Sequence, residues 1–188
     1  MATMLIKHIN CLSLLVVVLL FAFPSSNAMP VKEIHSFCKE TFELEFCMQY
    51  IGKNTRIAAA RDLSDIFLIA ISEAQIQMTN AITQIDRVRL QYDDPVRKNR
   101  LSVCEKKYES AGDSFHKAWE MGQKKIGRTM EDLEDMFNQT QAGLQAVSDC
   151  QDEWAKNGPK QESPLTLQYN NVQKLSQIAR VIIKKITS

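Results

Sequence analysis

Four long stretches of this chain repeat apolar residues at the spacing that lines one face of an α-helix. In the first stretch, which covers 62–92, these residues are Leu63, Phe67, Ala70, Ala74, Met78, Ala81, Ile85 and Val88. In the second stretch they are Leu101, Cys104, Tyr108, Ala111, Phe115 and Ala118. In the third stretch they are Leu133, Phe137, Thr140, Leu144, Val147 and Trp154, and in the fourth Val172, Leu175, Ala179, Ile182 and Ile186. Because each helix has one apolar face to bury, we expect an all-α protein.

Short segments rich in turn-forming residues separate the four predicted helices. Asp93-Asp94-Pro95 lies between the first and second helices, and Gly127-Arg128-Thr129 lies between the second and third. Thr129 followed by Asp132 is typical of a helix N-cap with an acidic first turn. The last connection covers 157–164. Short connections favour an antiparallel up-down-up-down four-helix bundle, which we predict for 62–188.

The N-terminus has the pattern of a secretory signal peptide. Lys7 and His8 precede an uncharged apolar run, 12–23, and a group of small residues ends at Ala28. Such a run extends about 18 Å as a helix, which is short of the ~30 Å hydrocarbon core of a membrane. We therefore predict that cleavage after Ala28 removes 1–28 and releases a secreted chain, 29–188, that forms one domain and does not associate with membranes.

The composition argues against two broad classes of function. Of the 23 basic residues one lies in the leader, so the mature chain has 22 basic residues beside 22 acidic ones. A chain without a basic excess is poorly suited to bind nucleic acid, whose phosphates attract cations. His35 and His116 stand alone, and the acidic cluster 131–135 fits the first turn of a helix better than a catalytic pair. We expect a binding protein with no catalytic residues, no metal and no cofactor.

The cysteines predict two disulfide bonds. Cys11 lies in the leader, and the mature chain contains Cys38, Cys47, Cys104 and Cys150. An even number in an oxidising compartment favours disulfides, with three possible pairings, and no pair has the short spacing of a zinc site. Nine residues of continuous helix would separate the Cα atoms of Cys38 and Cys47 by about 13.5 Å, so the chain must turn between them if they pair. Segment 31–54 would then be a small helical hairpin.

Four elements of the sequence together resemble one protein family. They are Ile34 with Cys38-Lys39-Glu40-Thr41 and Cys47; Cys104 with Tyr108, Ala111, Phe115 and Ala118; Ala142-Gly143-Leu144 before Cys150; and 170–175 with Ile178-Ala179. Their order and spacing are similar to those of the plant invertase/pectin methylesterase inhibitors. The resemblance covers nearly all of the mature chain. It implies disulfide bonds Cys38–Cys47 and Cys104–Cys150, and a helical hairpin before a four-helix bundle.

The resemblance also implies a function. It indicates a secreted inhibitor, located in the plant cell wall or apoplast, that occludes the active-site cleft of a carbohydrate-active enzyme in a 1:1 complex. Inhibitors of acid invertase in this family share a Pro-Lys-Phe tripeptide between the second and third bundle helices, and 124–129 contains none. We therefore favour pectin methylesterase as the target, with acid invertase as the alternative. A secreted helical signalling ligand is more remote, because helical cytokines usually have long crossover connections.

The exposed side of the predicted bundle offers a candidate surface for the partner. On the first long helix, the residues opposite the apolar stripe are Asp65, Ile69, Ser72, Ile76, Thr79, Thr83 and Asp86. On the second helix, the surface extends to Lys106, Glu109, Ser110, Asp113 and Lys117. Such a mixture of apolar and polar groups is typical of protein interfaces. For the first helix, the alternative interpretation is that Ile69 and Ile76 pack inside the protein. For the second helix, it is that the charged residues form an ordinary solvated face.

One sequence motif suggests a covalent modification. Asn138-Gln139-Thr140 is the only N-glycosylation sequon of the mature chain. It lies inside the third predicted long helix, and a helical segment is a poor substrate for N-glycosylation. Asn138 is therefore a candidate glycosylation site, and the sequence leaves its modification open.

Overall fold

The computed structural model describes residues 28–124, 129–156 and 161–187, and all regular structure within them is helical. The predicted leader, apart from Ala28, lies outside the described residues, as do Gly127 and Arg128 of one predicted turn and 157–160 of another. The six α-helices are α1 Val31–Cys38, α2 Leu44–Cys47, α3 Leu63–Arg89, α4 Pro95–Gln123, α5 Met130–Lys156 and α6 Thr166–Ile186. None of the described helices is long and apolar enough to cross a membrane.

The N-terminal segment is compact because a disulfide closes it. The chain turns between α1 and α2, so the Cα atoms of Cys38 and Cys47 lie 5.5 Å apart and their sulfurs are bonded. The Thr41 hydroxyl donates a hydrogen bond of 2.7 Å to the Cys38 carbonyl inside this turn. A π-helix, Met48–Gly52, and a 3₁₀-helix, Thr55–Ala59, then lead to α3.

Side-chain caps define where three of the long helices begin. The Asp62 carboxylate accepts a hydrogen bond from the Asp65 amide at the start of α3. Asp94 caps α4 in the same way through the Val96 amide, with Pro95 in the first turn, where its missing N–H costs nothing. At α5 the Thr129 hydroxyl accepts from the Asp132 amide. The Asp132 carboxylate accepts in return from the Thr129 amide, which completes a capping box.

The four long helices surround one core. Helix α3 packs against α4 and α6, and α5 packs against the same two helices. All six residues of the predicted stripe on α4 are buried, and Phe67 of α3 and Trp154 of α5 lie in the same core. Each large side chain that is removed from water contributes roughly 1.5–3 kcal/mol to folding. The predicted apolar stripes therefore form the inside of a helical bundle.

The stripe predicted for α5 is partly wrong. Phe137 and Leu144 are only half-buried, whereas Met136 and Gly143 are buried in their place. Spacings of three and four both fit a helix of 3.6 residues per turn, so periodicity alone did not distinguish these neighbouring positions. The ring of Phe115, which fills the space in front of Gly143, determines which side of α5 faces inward.

A second disulfide links α4 to α5. Cys104 and Cys150 are buried and bonded, with their Cα atoms 4.6 Å apart. Near this bond the Lys107 ammonium lies 2.7 Å from the Asp149 carboxylate. The structure thus has both disulfide bonds that the family resemblance implies.

The N-terminal segment lies against α6. Lys174 forms an ion pair of 2.7 Å with Glu43, and Lys185 forms one of 2.8 Å with Glu40. The Asn171 amide donates to the Tyr50 hydroxyl over 3.2 Å. Because the ion pairs are largely exposed, each contributes at most about 1 kcal/mol to this contact.

Candidate functional site

The two histidines of the described residues, His35 and His116, lie on different helices. His116 is exposed on α4, with its Nε2 atom 3.4 Å from a carboxylate oxygen of Glu120 and its ring stacked near Trp119. His35 lies in α1 and is half-buried. Within the described parts of the chain, no group of three or more His, Cys, Asp or Glu side chains could hold a metal ion.

Most of the residues predicted on α3 do form an exposed strip. Thr79, Thr83 and Asp86 are exposed, Ile76 is 47% exposed, and Ser72 and Asp65 are half-buried. The Thr83 hydroxyl donates a hydrogen bond of 2.9 Å to the Thr79 carbonyl one turn earlier. We call Ser72, Ile76, Thr79, Thr83 and Asp86 the α3 strip. It offers an apolar side chain among small polar ones, as interface cores often do.

Ile69 does not belong to this strip. Its side chain is 3% exposed and lines a pocket of about 280 Å³ together with Ala60 and Trp119. The pocket forms because the chain before α3 passes over this part of the helix. The expectation that Ile69 faces a partner was therefore wrong, and the alternative that it packs inside holds for this residue.

The five residues predicted on α4 are all exposed. They are Lys106, Glu109, Ser110, Asp113 and Lys117. Their spacing places them along one side of α4, which packs directly against α3. The structure thus carries the two predicted sets on neighbouring helices. The set on α4 has two basic residues, Lys106 and Lys117, and two acidic ones, Glu109 and Asp113, so its formal charge is zero.

Sequence reasoning missed the polar groove beside the α3 strip. Asn54 and Arg56 form one wall, and Ser72, Ile76 and Thr79 form the other, around a space of about 600 Å³. Arg56 donates from Nη1 to the Ser72 hydroxyl over 3.0 Å and lies 3.8 Å from Glu73.

Asn54 helps to hold this wall in place. Its side-chain amide donates to Glu73 over 2.7 Å, and its side-chain oxygen accepts from the Arg56 amide over 3.0 Å. A guanidinium held beside an exposed isoleucine is a good anchor for a protein partner, since Arg is enriched in binding hot spots. The only signal in the sequence was Asn54, a residue type that favours helix caps.

The sequon on α5 has its first residue at the surface and its third residue in the core. Asn138 is exposed, whereas Thr140 is buried and its hydroxyl donates to the Met136 carbonyl over 2.8 Å. A transferase that must contact both residues in an extended conformation has no access to them once α5 has formed. Glycosylation of Asn138 stays a prediction, and the structure requires that it precede folding of this helix.

Comparison with known proteins places the chain in a family. The family model described as plant invertase/pectin methylesterase inhibitor matches residues 32–182, which contain both disulfide bonds. The chain belongs to this family. A curated relative, pectinesterase inhibitor 5 from Arabidopsis thaliana, is 43% identical to this family member over 188 residues, and the match covers all of both chains.

Solved structures of other proteins have the same fold as this family member. The crystal structure of a mutant form of a pectin methylesterase inhibitor from Arabidopsis matches with a TM-score of 0.64 and 21% identity, covering 81% of this chain and 95% of the other. A second structure of a pectin methylesterase inhibitor from Arabidopsis thaliana gives a TM-score of 0.57 at 21% identity, covering 83% and 97%. At this level of identity the likeness concerns the fold alone.

Proposed function

We propose that this protein inhibits pectin methylesterase. The observation that carries the proposal is the relative of 43% identity, matched from end to end, which is a pectinesterase inhibitor. The membership of the chain in a family of enzyme inhibitors points in the same direction.

We infer that α3 to α6 run up-down-up-down as an antiparallel bundle. Two contacts between α3 and α4 support this. Arg89 at the end of α3 forms an ion pair with Glu105 near the start of α4. Phe67 near the start of α3 lies beside Gly122 at the end of α4. Between α5 and α6, Gln151 bonds to Thr166 and Arg180 lies over Phe137, again in reverse order. The mature chain, 29–188, is then one inhibitor domain.

The proposed mechanism is steric. The α3 strip, the exposed residues of α4 and Arg56 would cover the active-site cleft of the enzyme in a 1:1 complex, at an interface on the order of 1,600 Å². Ile76 would supply apolar contact at the centre, and Arg56 a charged anchor beside it. A scaffold held by two disulfides loses little conformational entropy on binding, so more of the contact energy appears as affinity.

The site of action that we propose is the cell wall. The apolar leader pattern within 1–28 directs secretion, and the two disulfides suit an oxidising compartment. Neither of the two disulfide bonds would persist in a reducing cytosol.

Acid invertase is the second candidate target, because the family description includes invertase inhibitors. The segment 124–129 has the sequence Lys-Lys-Ile-Gly-Arg-Thr and lacks the Pro-Lys-Phe tripeptide of the invertase inhibitors. This difference favours pectin methylesterase.

A direct assay separates the two targets. Purified protein, 29–188, is added to a plant pectin methylesterase with methyl-esterified pectin, and in parallel to an acid invertase with sucrose. We expect methanol release to fall to the background rate while sucrose hydrolysis continues unchanged. Inhibition of invertase with normal methanol release would transfer the function to the second target, and full activity of both enzymes would refute the proposal.

A further inference from the structure

The segment that carries Arg56 beside the α3 strip is held at both of its ends. At one end, a side-chain hydrogen bond of 2.7 Å joins Asn54 to α3. At the other end, the backbone nitrogen of Met29 donates a hydrogen bond of 2.7 Å to the Ala60 carbonyl. Between these two anchors lies the 3₁₀-helix Thr55–Ala59, which is too short to be stable by itself. The position of Arg56 therefore depends on both anchors.

The Met29 anchor is itself firmly placed. The Met29 side chain packs against the core, and α1 begins two residues later, directly after Pro30. The disulfide Cys38–Cys47 closes the turn that follows α1. Ala60, the acceptor, is 2% exposed, so water hardly reaches it. The first residues of the predicted mature chain thus present one backbone nitrogen to a buried carbonyl.

Removal of the leader changes the chemistry of this nitrogen. In the uncut chain it is a neutral peptide amide with one N–H. Hydrolysis of the Ala28–Met29 bond by a signal peptidase, which the leader pattern predicts, gives Ala28 a carboxylate and leaves Met29 with an amine. At neutral pH this amine is an α-ammonium with a positive charge and three N–H donors. A charged donor forms a hydrogen bond roughly twice as strong as a neutral one.

We propose that the α-ammonium of Met29 is a structural anchor of the mature protein, which binds the Ala60 carbonyl and so holds 54–60 against α3. Its remaining N–H groups reach water, because Met29 is only half-buried. Ala60 and Arg56 line the same pocket, so an uncut leader would join the domain beside Arg56. Leader removal therefore strengthens the anchor and also frees the neighbourhood of Arg56, a consequence that rests on the proposed function.

The first measurement is the N-terminal residue of the secreted protein. The full chain, 1–188, is expressed in plant cells, and the protein in the medium is sequenced from its N-terminus. We expect it to begin at Met29. Any other first residue would overturn the proposal, because the ammonium would then lie away from Ala60.

Hydrogen exchange tests the anchor in proteins of defined N-terminus. One form is 29–188 with a free α-amine, and the second is 27–188, in which the Met29 nitrogen is a peptide amide. The third is 29–188 carbamoylated by cyanate near pH 7, which prefers an α-amine to lysine because the ordinary pKa of an α-amine is lower. The amides of Ile57 and Ala60 donate within the segment. We expect both to exchange about tenfold faster in the two neutral forms.

Three controls accompany this comparison. An asparagine and an alanine added after Ser188 match the extension in 27–188 and should leave all rates unchanged. Asn54→Ala releases the other anchor and should accelerate the amides of Ile57 and Ala60, since both belong to the segment that it holds. The Gln91 amide, which donates to a carbonyl at the far end of α3, should exchange at one rate in all forms.

Two exchange results would overturn the proposal. The first is equal exchange at Ile57 and Ala60 in all three forms. The second is faster exchange in only one of the two neutral forms, because the added atoms, and not the lost charge, would then be the cause.

An inhibition assay tests the consequence for the interface. We expect 27–188 to inhibit pectin methylesterase about tenfold more weakly than 29–188, because Arg56 is held less firmly beside the α3 strip. Equal inhibition by the two forms would overturn the link between the anchor and the interface. If neither form inhibits, the proposed function fails, whereas the exchange rates still decide whether the anchor exists.

Discussion

The ring of Phe115 on α4 lies so close to Gly143 on α5 that a Cβ at residue 143 would come within 2.8 Å of two ring carbons. Phe115 is fully buried, so the ring has little space into which it can move. We expect Gly143→Ala to lower the free energy of unfolding by about 1–3 kcal/mol through overpacking, despite the better helix propensity of alanine. Urea unfolding of the oxidised protein measures the change.

Gly112 provides the matched control on α4. The nearest atom to a Cβ there is Cγ of Met78, at the ordinary contact distance of 3.9 Å. Gly112→Ala should therefore raise stability by about 0.5–1 kcal/mol, because alanine restricts the unfolded chain and favours the helix. Equal effects of the two substitutions would show that the α4–α5 contact is not as close as the structure indicates.

The two disulfides should differ in what they contribute. The loops that they close have sequence separations of 9 for Cys38–Cys47 and 46 for Cys104–Cys150. Chain-entropy arithmetic gives about 2.6 kcal/mol for the shorter loop and about 4 kcal/mol for the longer. Replacement of both cysteines by alanine should thus lower the free energy of unfolding more at Cys104–Cys150 than at Cys38–Cys47. Denaturant unfolding without reductant measures both changes. A larger loss at Cys38–Cys47 would contradict the entropic account.

The buried Tyr108 phenol should make stability depend on pH above about 10. Desolvation, with a smaller contribution from Tyr169, raises the pKa of Tyr108 well above its ordinary value. Above pH 10 the tyrosine therefore ionises in the unfolded chain and stays protonated in the folded one, so stability falls as pH rises, by up to about 1.4 kcal/mol per pH unit.

Tyr108→Phe isolates this contribution. Among the described residues the Tyr108 hydroxyl has no hydrogen-bond partner, so the variant should be about as stable as the parent at pH 7, or up to about 1 kcal/mol more stable. The free energy of unfolding, measured between pH 9 and pH 11.5, should then fall more steeply with pH for the parent than for the variant. Parallel curves would mean that the phenol reaches solvent.

Much of the fold could be predicted because it depends on local rules. Asp62, Asp94 and Thr129 fix the starts of three helices through their own neighbours, and the stripe on α4 is buried at every predicted position. The error on α5, where Met136 replaces Phe137 inside, arose because that choice depends on a ring from another helix. Tertiary packing selected between two positions that the helical period allows equally.

The candidate site was less predictable for a similar reason. The 3₁₀-helix Thr55–Ala59 is too short for any apolar period, and its position on α3 depends on Glu73, far along the chain. This segment provides Arg56 beside the α3 strip. The same part of the chain contributes Ala60 to the pocket around Ile69, so one unpredicted element accounts for both the missed arginine and the misplaced isoleucine.

The proposed interface can be tested by added bulk and charge. Thr79→Arg and Ser110→Arg place long cationic side chains on exposed positions of α3 and α4, where they cost the fold little. Each should weaken inhibition of pectin methylesterase by at least about tenfold if the enzyme covers this surface. Asn170→Arg, an equally exposed position on α6, is the control and should inhibit normally. Full inhibition by both variants would place the interface elsewhere.

The mode of inhibition, competitive or not, tests the central claim. This claim is that the protein blocks the pectin-binding cleft of pectin methylesterase. Initial rates of methanol release are measured over a range of pectin concentrations at several fixed concentrations of the inhibitor. Occlusion of the cleft predicts that the apparent KM rises with inhibitor concentration while kcat stays constant. A fall in kcat at constant KM, or rates unaffected by the protein, would contradict the account.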